Sequence, residues 1–240
     1  MAAIVAPGID SPSAKLIAPS WHTALLVALF LGLALSGAAF QLRSGSKPGM
    51  LQQHPHVVPL YLSLIVMEWG LFYLVWKGGL GGSGTKLREL IAGRWANAKE
   101  VLVDAGLALG LWAVWIAIER AMDHWFGPAH AASIQTLLPQ RMMEILLWMG
   151  VSISAGICEE LVFRGYFQRQ FHAYTHSRWI ALFLQAVLFG VSHGYQGAAA
   201  CAKITILGAL YGSLALWRKS LRPGMMAHAW SDILSGTFRI

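Results

Sequence analysis

The sequence predicts an all-α fold, a polytopic transmembrane helical bundle of about seven or eight spans. Three observations predict it: composition, the spacing of charges, and the placement of a few acids. Of 240 residues, 56% are hydrophobic and 12% charged, and the mean hydropathy is +0.54. An ordinary soluble domain carries roughly a quarter charged residues. Runs between charges approach the roughly 20 apolar residues a helix needs to cross hydrocarbon. The 11 Trp and 6 Tyr suit interfacial belts, and the 25 Gly suit close helix contacts in a bilayer.

In chain order the expected spans cover 22–40, 57–76, 101–118, 143–163, 179–195, 198–217 and 225–238. The last is short, as a tilted or partly re-entrant helix would be. The first lacks the form of a signal peptide, with a lone Lys15 as its basic flank and no small-residue cleavage context at its end. Between the second and third lie a glycine-rich run, 78–84, and an amphipathic stretch in which Leu87, Leu90, Ile91 and Trp95 share a face. That stretch reads as a helix on the cytoplasmic surface, or as an eighth segment if it dips into the membrane. Residues 1–142 thus form N-terminal membrane helices with a cytoplasmic amphipathic segment. Residues 143–240 form the helices that carry the chemistry, within the same membrane domain.

Orientation follows from lysine and arginine bias. One side holds Lys15, Lys77, Lys86, Arg88, Arg94, Lys99, Arg164, Arg169, Arg178, Arg218, Lys219 and Arg222, twelve in all; the other holds Arg43, Lys47, Arg120, Arg141, Lys203 and Arg239, six. Positive residues favour the cytoplasm, so the N-terminus is expected inside. The same basic face accounts for the net charge of +7 through anionic lipid, and the chain lacks the aromatic and basic interleaving of a nucleic-acid groove. The expected partners are therefore the lipid bilayer and no nucleic acid. Cys158 and Cys201 both fall in apolar stretches and read as buried thiols without a disulfide.

Glu159 and Glu160 stand side by side in a stretch that otherwise resembles hydrocarbon, and Arg164 follows four residues after the second. Carboxylates at such depth cost several kcal/mol or more unless paired or used, so they mark a functional site. Adjacent helical residues point about 100° apart, so one acid can serve chemistry and the other the scaffold. The Glu160 to Arg164 spacing suits an ion pair, which leaves Glu159 without a local cation and available as a base toward water. Phe189 and His193 share a face in a later span, as do His228 and Asp232 in the last. The last pair suits a metal clamp or donors aimed at an oxyanion. Asp232 can donate only when protonated and otherwise orients His228. No HExxH is present, although the four acid and imidazole groups from three helices leave a His2Glu-type site open. Gly81-Gly82-Ser83-Gly84 fits a GxSG pattern by chance, since it lies outside any span.

Glu159-Glu160-Leu161-Val162-Phe163-Arg164, then Phe189 with His193, then His228 with Asp232, resemble the three ordered motifs of the CPBP family. These are the CAAX-protease and bacteriocin-processing intramembrane endopeptidases, related to the type II CAAX prenyl endopeptidase. The resemblance covers about 143–236. It implies a conical intramembrane catalytic cavity and glutamate-dependent hydrolysis of a peptide bond in a membrane-associated peptide or protein. By that resemblance Glu159 activates water with help from His193, while His228 and Asp232 stabilise the oxyanion. Glu160, Arg164 and Phe189 resemble supporting positions. A divalent metal is possible and not required, and the membrane is expected to be the bacterial cytoplasmic one. The third motif often ends in asparagine, and here it ends in Asp232. Two rival readings share these residues: a proton-coupled transporter, for which an internal repeat would be expected and none is found, and an inactive scaffold of the same fold. Measured along straight helices, His193 and His228 lie at different depths, so breaks are expected near Gly194, Gly197, Pro223 or Gly224.

Overall fold

The computed structural model describes residues 15–44, 56–91, 95–126 and 136–238. Among them it is entirely helical, with no strand. The helices are α1 (Ser20–Ser44), α2 (Val58–Tyr73), α3 (Leu87–Ile91), α4 (Ala98–Phe126), α5 (Met142–Glu159), α6 (Gln168–Thr175), α7 (Arg178–Ser192), α8 (Ala198–Arg218) and α9 (Arg222–Phe238). Among the described residues five continuous helical stretches are long and apolar enough to cross a membrane: Ser20–Ala39, Val58–Gly82, Ala98–Trp125, Met142–Thr175 and Ala198–Arg218. Helix α7 is apolar but shorter. The chain is an all-helical membrane bundle.

Local sequence explains where several helices begin and end. Pro59 sits at the start of α2, where a missing N–H costs nothing. The Glu144 carboxylate accepts from the Gln140 and Arg141 amides at 2.8 and 3.1 Å and so caps α5. The Ser177 hydroxyl accepts from the Ile180 amide to open α7. His176 and Lys219 end α6 and α8 in the left-handed conformation, both at φ 54°.

The core forms where α1 and α2 pack on the end of α5. Leu26, Phe30, Phe72 and Val75 meet Leu161, Phe163, Phe167 and Phe189. Phe163 anchors it, 5.0 Å from the Phe30 ring and 4.9 Å from Phe189. Behind it a buried polar chain ties α1 to α6. Gln170 Nε2 donates to Thr23 Oγ1 at 2.8 Å, Thr23 meets the Tyr166 hydroxyl at 2.9 Å, and Tyr166 meets His22 Nδ1 at 2.8 Å. A second polar anchor holds α4: buried Asp104 accepts from Trp95 Nε1 and Arg218 Nε, each at 2.8 Å, and pairs with Arg222 Nε at 3.3 Å.

Three expectations change. The amphipathic stretch starts as the short helix α3, and its apolar face points into the protein: Leu90 is buried against the core and Arg169 Nη2 donates to the Glu89 and Leu90 carbonyls at 3.0 and 3.3 Å. That apolar face is therefore used for docking on the bundle. The expected seventh span, α9, is not among the stretches long and apolar enough to cross a membrane. Its first turns are buried through Arg222, Pro223, Gly224, Ala227 and His228, so it starts inside the bundle. Finally, Arg164 and Lys203 are not loop charges: Arg164 is buried beside Glu160, and Lys203 pairs with Asp123 and lies 3.9 Å from Glu119. Lys47, Arg94 and Arg239 lie outside the described residues.

Candidate active site

Helix α5 changes pitch at the acid pair. From Glu160 to Phe167 the backbone is π-helical, and the stretch runs on without interruption into α6. Such wide turns recur at functional sites because they re-aim consecutive side chains. Here they carry Glu160 and Arg164 inward. Arg164 Nη1 lies 2.8 Å from Glu160 Oε1, with both side chains at 0% exposure. The guanidinium also donates to the Gly208 carbonyl at 3.2 Å, and its carbon lies 4.2 Å from the Phe189 ring centroid and 5.2 Å from that of Tyr211. A buried cation is thus surrounded by an anion, a carbonyl and aromatic faces, the environment that makes its burial tolerable.

Helix α9 reaches this cluster because α5 lets it approach. A Cβ on Gly156 would lie 2.8 Å from both the Ala229 amide and the Met225 carbonyl of α9, so only glycine permits the contact. His228 then projects between the acids. Its Nδ1 lies 3.2 Å from Glu160 Oε1, and its Nε2 lies 3.6 Å from both Glu159 Oε2 and Asp232 Oδ2. The two adjacent glutamates therefore face different nitrogens of one ring. Their divergent directions, expected from sequence, separate them by nitrogen and not into one functional and one remote acid. The imidazole is held from its faces by Tyr211, stacked at 5.2 Å and 18°, and by the edge of Phe189 at 5.9 Å.

His193 caps α7, where the chain breaks through a turn at Gly194–Gln196 and resumes after Gly197 at φ 92°. This is one of the breaks the depth argument asks for; Pro223 and Gly224, also expected as breaks, lie instead within the continuous first turn of α9, which begins buried in the bundle. The His193 Nδ1 lies 2.9 Å from the Phe189 carbonyl and 3.2 Å from Ser192 Oγ, and its ring meets Phe189 edge-on at 5.1 Å. Phe189 therefore connects the two histidines. The imidazole in reach of Glu159 is His228, and His193 stands beyond the Phe189 ring.

Tyr211 and Glu68 complete the surroundings without having been singled out as site residues from sequence. Tyr211 offers no sequence signal, being one aromatic among many in an apolar helix. Glu68 does: it is an acid inside an expected span, and the lipid-cost argument applied to Glu159 applies equally to it. It is buried on α2 and lies within electrostatic reach of Glu159, His228 and Asp232.

Among the described residues no group of three or more His, Cys, Asp or Glu side chains is arranged to hold a metal ion. Only His228 has its ring nitrogens in the middle of the carboxylates, so the His2Glu set left open by the sequence does not fit these positions. Cys158 and Cys201 are free thiols. Ser83 is exposed just past the helical stretch that ends at Gly82, its hydroxyl donating to the Leu80 carbonyl at 3.1 Å.

Residues 141–234 match the family described as Rce1-like, type II CAAX prenyl endopeptidase Rce1-like. The match spans less than half of the 240 residues and gives what this segment is similar to. Its limits enclose α5 through most of α9, and so every residue of the cluster except Glu68. No curated protein and no solved structure matches the chain. The Rce1-like segment supports a protease-like membrane protein.

Proposed function

We propose that the protein is an intramembrane endopeptidase in which Glu159 activates water for direct attack on a peptide bond. The observation that carries this reading is the pair of 3.6 Å approaches from Glu159 Oε2 and Asp232 Oδ2 to His228 Nε2, with Nδ1 turned to Glu160. Both carboxylates stop just short of a direct hydrogen bond to Nε2, so an oxygen bridging them to the ring would complete their contacts. The Glu159 carboxylate takes a proton from water while the water oxygen adds to the peptide carbonyl. His228 is oriented by Glu160, and Arg164 holds that carboxylate in place. An imidazolium at His228 donates from Nε2 to the oxyanion, with Asp232 orienting it or donating when protonated. Glu159 then returns its proton to the departing nitrogen as the C–N bond breaks, giving a carboxylate and an amine. In this reading His193 acts from behind Phe189, its Nδ1 bonded to the Phe189 carbonyl.

The same reading places the N-terminus in the cytoplasm of a bacterial inner membrane, with residues 143–240 as the catalytic half of one membrane domain. Its substrate is a membrane-associated peptide or protein. Peptide profiling of membranes carrying wild type or Glu159→Gln tests it. Fragments that disappear with the glutamine variant support the proposal. Identical profiles with folded protein, or proton flux through reconstituted protein that cleaves nothing, reject it in favour of an inactive scaffold or a transporter.

A further inference from the structure

Helix α9 runs antiparallel to α5 and meets it closely at two places, about two turns apart on each helix. At the first, Gly156 of α5 admits the Met225 carbonyl and the Ala229 amide of α9. At the second the glycine stands on the other helix. A Cβ on Gly236 of α9 would overlap the Trp148 indole of α5, so only glycine leaves room for that ring. Through this gap Trp148 Nε1 donates to the Asp232 carbonyl at 2.8 Å. Ser235 Oγ donates to the same carbonyl at 3.2 Å from within α9, so the indole is the donor that reaches it from another helix. A single close contact lets one helix swing about another, whereas two fix its angle and its register. His228 adjoins the first contact, and Asp232 forms the second.

The two side chains depend on these contacts differently. His228 is held by its own neighbours, with Glu160 at Nδ1, Tyr211 on its face and the Phe189 edge against it. The Asp232 carboxylate stops 3.6 Å from His228 Nε2, beyond a direct hydrogen bond, and 37% of that side chain is exposed. Where the carboxylate stands therefore follows from where the α9 backbone stands at Asp232, and the indole bonds that backbone. Trp148 is in turn braced by α2. The buried Tyr61 ring lies 5.4 Å from the Trp148 ring at 58°, and the Tyr61 hydroxyl donates to the Leu137 carbonyl at 2.6 Å, just ahead of α5.

We propose that Trp148 is a positioning residue of this site, whose indole N–H pins the α9 backbone at Asp232 and so sets the distance of the Asp232 carboxylate from His228 and the reacting oxygen. The idea rests on the reading of Asp232 as part of the catalytic site. Trp148 itself touches no reacting atom and moves no proton. Losing its N–H changes where Asp232 stands and leaves substrate uptake alone, so kcat falls while KM changes little.

Replacing Trp148 by 3-benzothienylalanine keeps the bicyclic shape and exchanges the N–H for sulfur. In the reconstituted protein this should lower kcat for Glu159-dependent cleavage about tenfold at little-changed KM. The control is the same replacement of Trp69, whose Nε1 also donates between helices, to Ser154 Oγ of α5 at 3.1 Å, in a bond that does not involve α9. There kcat should change less than about twofold. Equal loss at the two positions assigns the effect to helix packing in general and overturns the inference, as does an unchanged kcat at Trp148 or a loss carried by KM. Gly236→Ala disturbs the same contact from α9 and should reproduce the loss in kcat; turnover at the wild-type rate overturns the inference too. In an Asp232→Ala background the replacement of Trp148 should cost less than about twofold, because the group it positions is gone. An undiminished cost there also overturns it, and the comparison with Trp69 decides by itself if Asp232→Ala turns over too slowly to follow. If wild type shows no Glu159-dependent cleavage, the protease reading fails and this inference with it. If that cleavage is present and the two tryptophans respond alike, only the Trp148 inference falls.

Discussion

Replacing Arg164 by methionine isolates what the buried charge contributes, because methionine keeps much of the length and apolar volume. Arg164 is 2% exposed, so almost none of the effect is screened by solvent. Removing one member of a buried ion pair costs about 3–5 kcal/mol, mostly through the charge left behind. Two features of the structure place Arg164→Met at the lower end. Glu160 keeps His228 Nδ1 at 3.2 Å, and the Gly208 carbonyl keeps Gln185 Nε2 at 3.1 Å. The expected loss is about 3 kcal/mol, or about a hundredfold in the folded to unfolded ratio. Glu160→Gln added to Arg164→Met removes the stranded charge, and the double variant should recover about half of the loss. Reversible unfolding in mixed micelles, followed by tryptophan fluorescence, measures all members of the cycle. An Arg164→Met loss under about 1 kcal/mol, or a double variant less stable than the single one, refutes the argument that burial of this pair sets its energy.

Gly156→Ala should destabilise by about 1–3 kcal/mol and lower any Glu159-dependent cleavage, because its Cβ must push the α9 backbone away together with His228. Gly150→Ala is the control, since its Cβ meets only the Ile65 side chain end at 3.6 Å. Asp232→Asn should preserve or raise activity if Asp232 donates to the oxyanion, and complete loss in a folded protein would assign its charge to the mechanism. In a background with Cys158 and Cys201 replaced by alanine, an impermeant thiol reagent applied outside should miss a cysteine at Ser83 and reach one at Ser46. The reverse labelling refutes the proposed orientation.

The parts of this protein readable from sequence are those that local chemistry decides. Hydropathy marks the apolar helices, and the i,i+4 spacing of Glu160 and Arg164 anticipates an ion pair that forms at 2.8 Å. What was not readable depends on long-range packing. The π-helical turn at Glu160 leaves no composition signature, yet it helps bring both glutamates to one imidazole. The face of α3 looks amphipathic whether it meets lipid or, as here, the protein core. Helix α9 reads as a weak span because its polar side chains face protein, a distinction that hydropathy alone does not draw. Charge bias overcounted loop residues for the same reason, since Arg164 and Lys203 look like flanking charges until their buried partners are seen.

The most direct test of the account is the rate at which reconstituted protein cleaves a peptide identified by membrane profiling, compared between wild type and Glu159→Gln. The glutamine keeps size and loses proton acceptance, so the rate should fall by roughly 10² or more, while Cys158→Ala and Ser192→Ala should cost far less. Undiminished cleavage by folded Glu159→Gln, or a covalent intermediate trapped on Cys158 or Ser192, would contradict direct attack by glutamate-activated water.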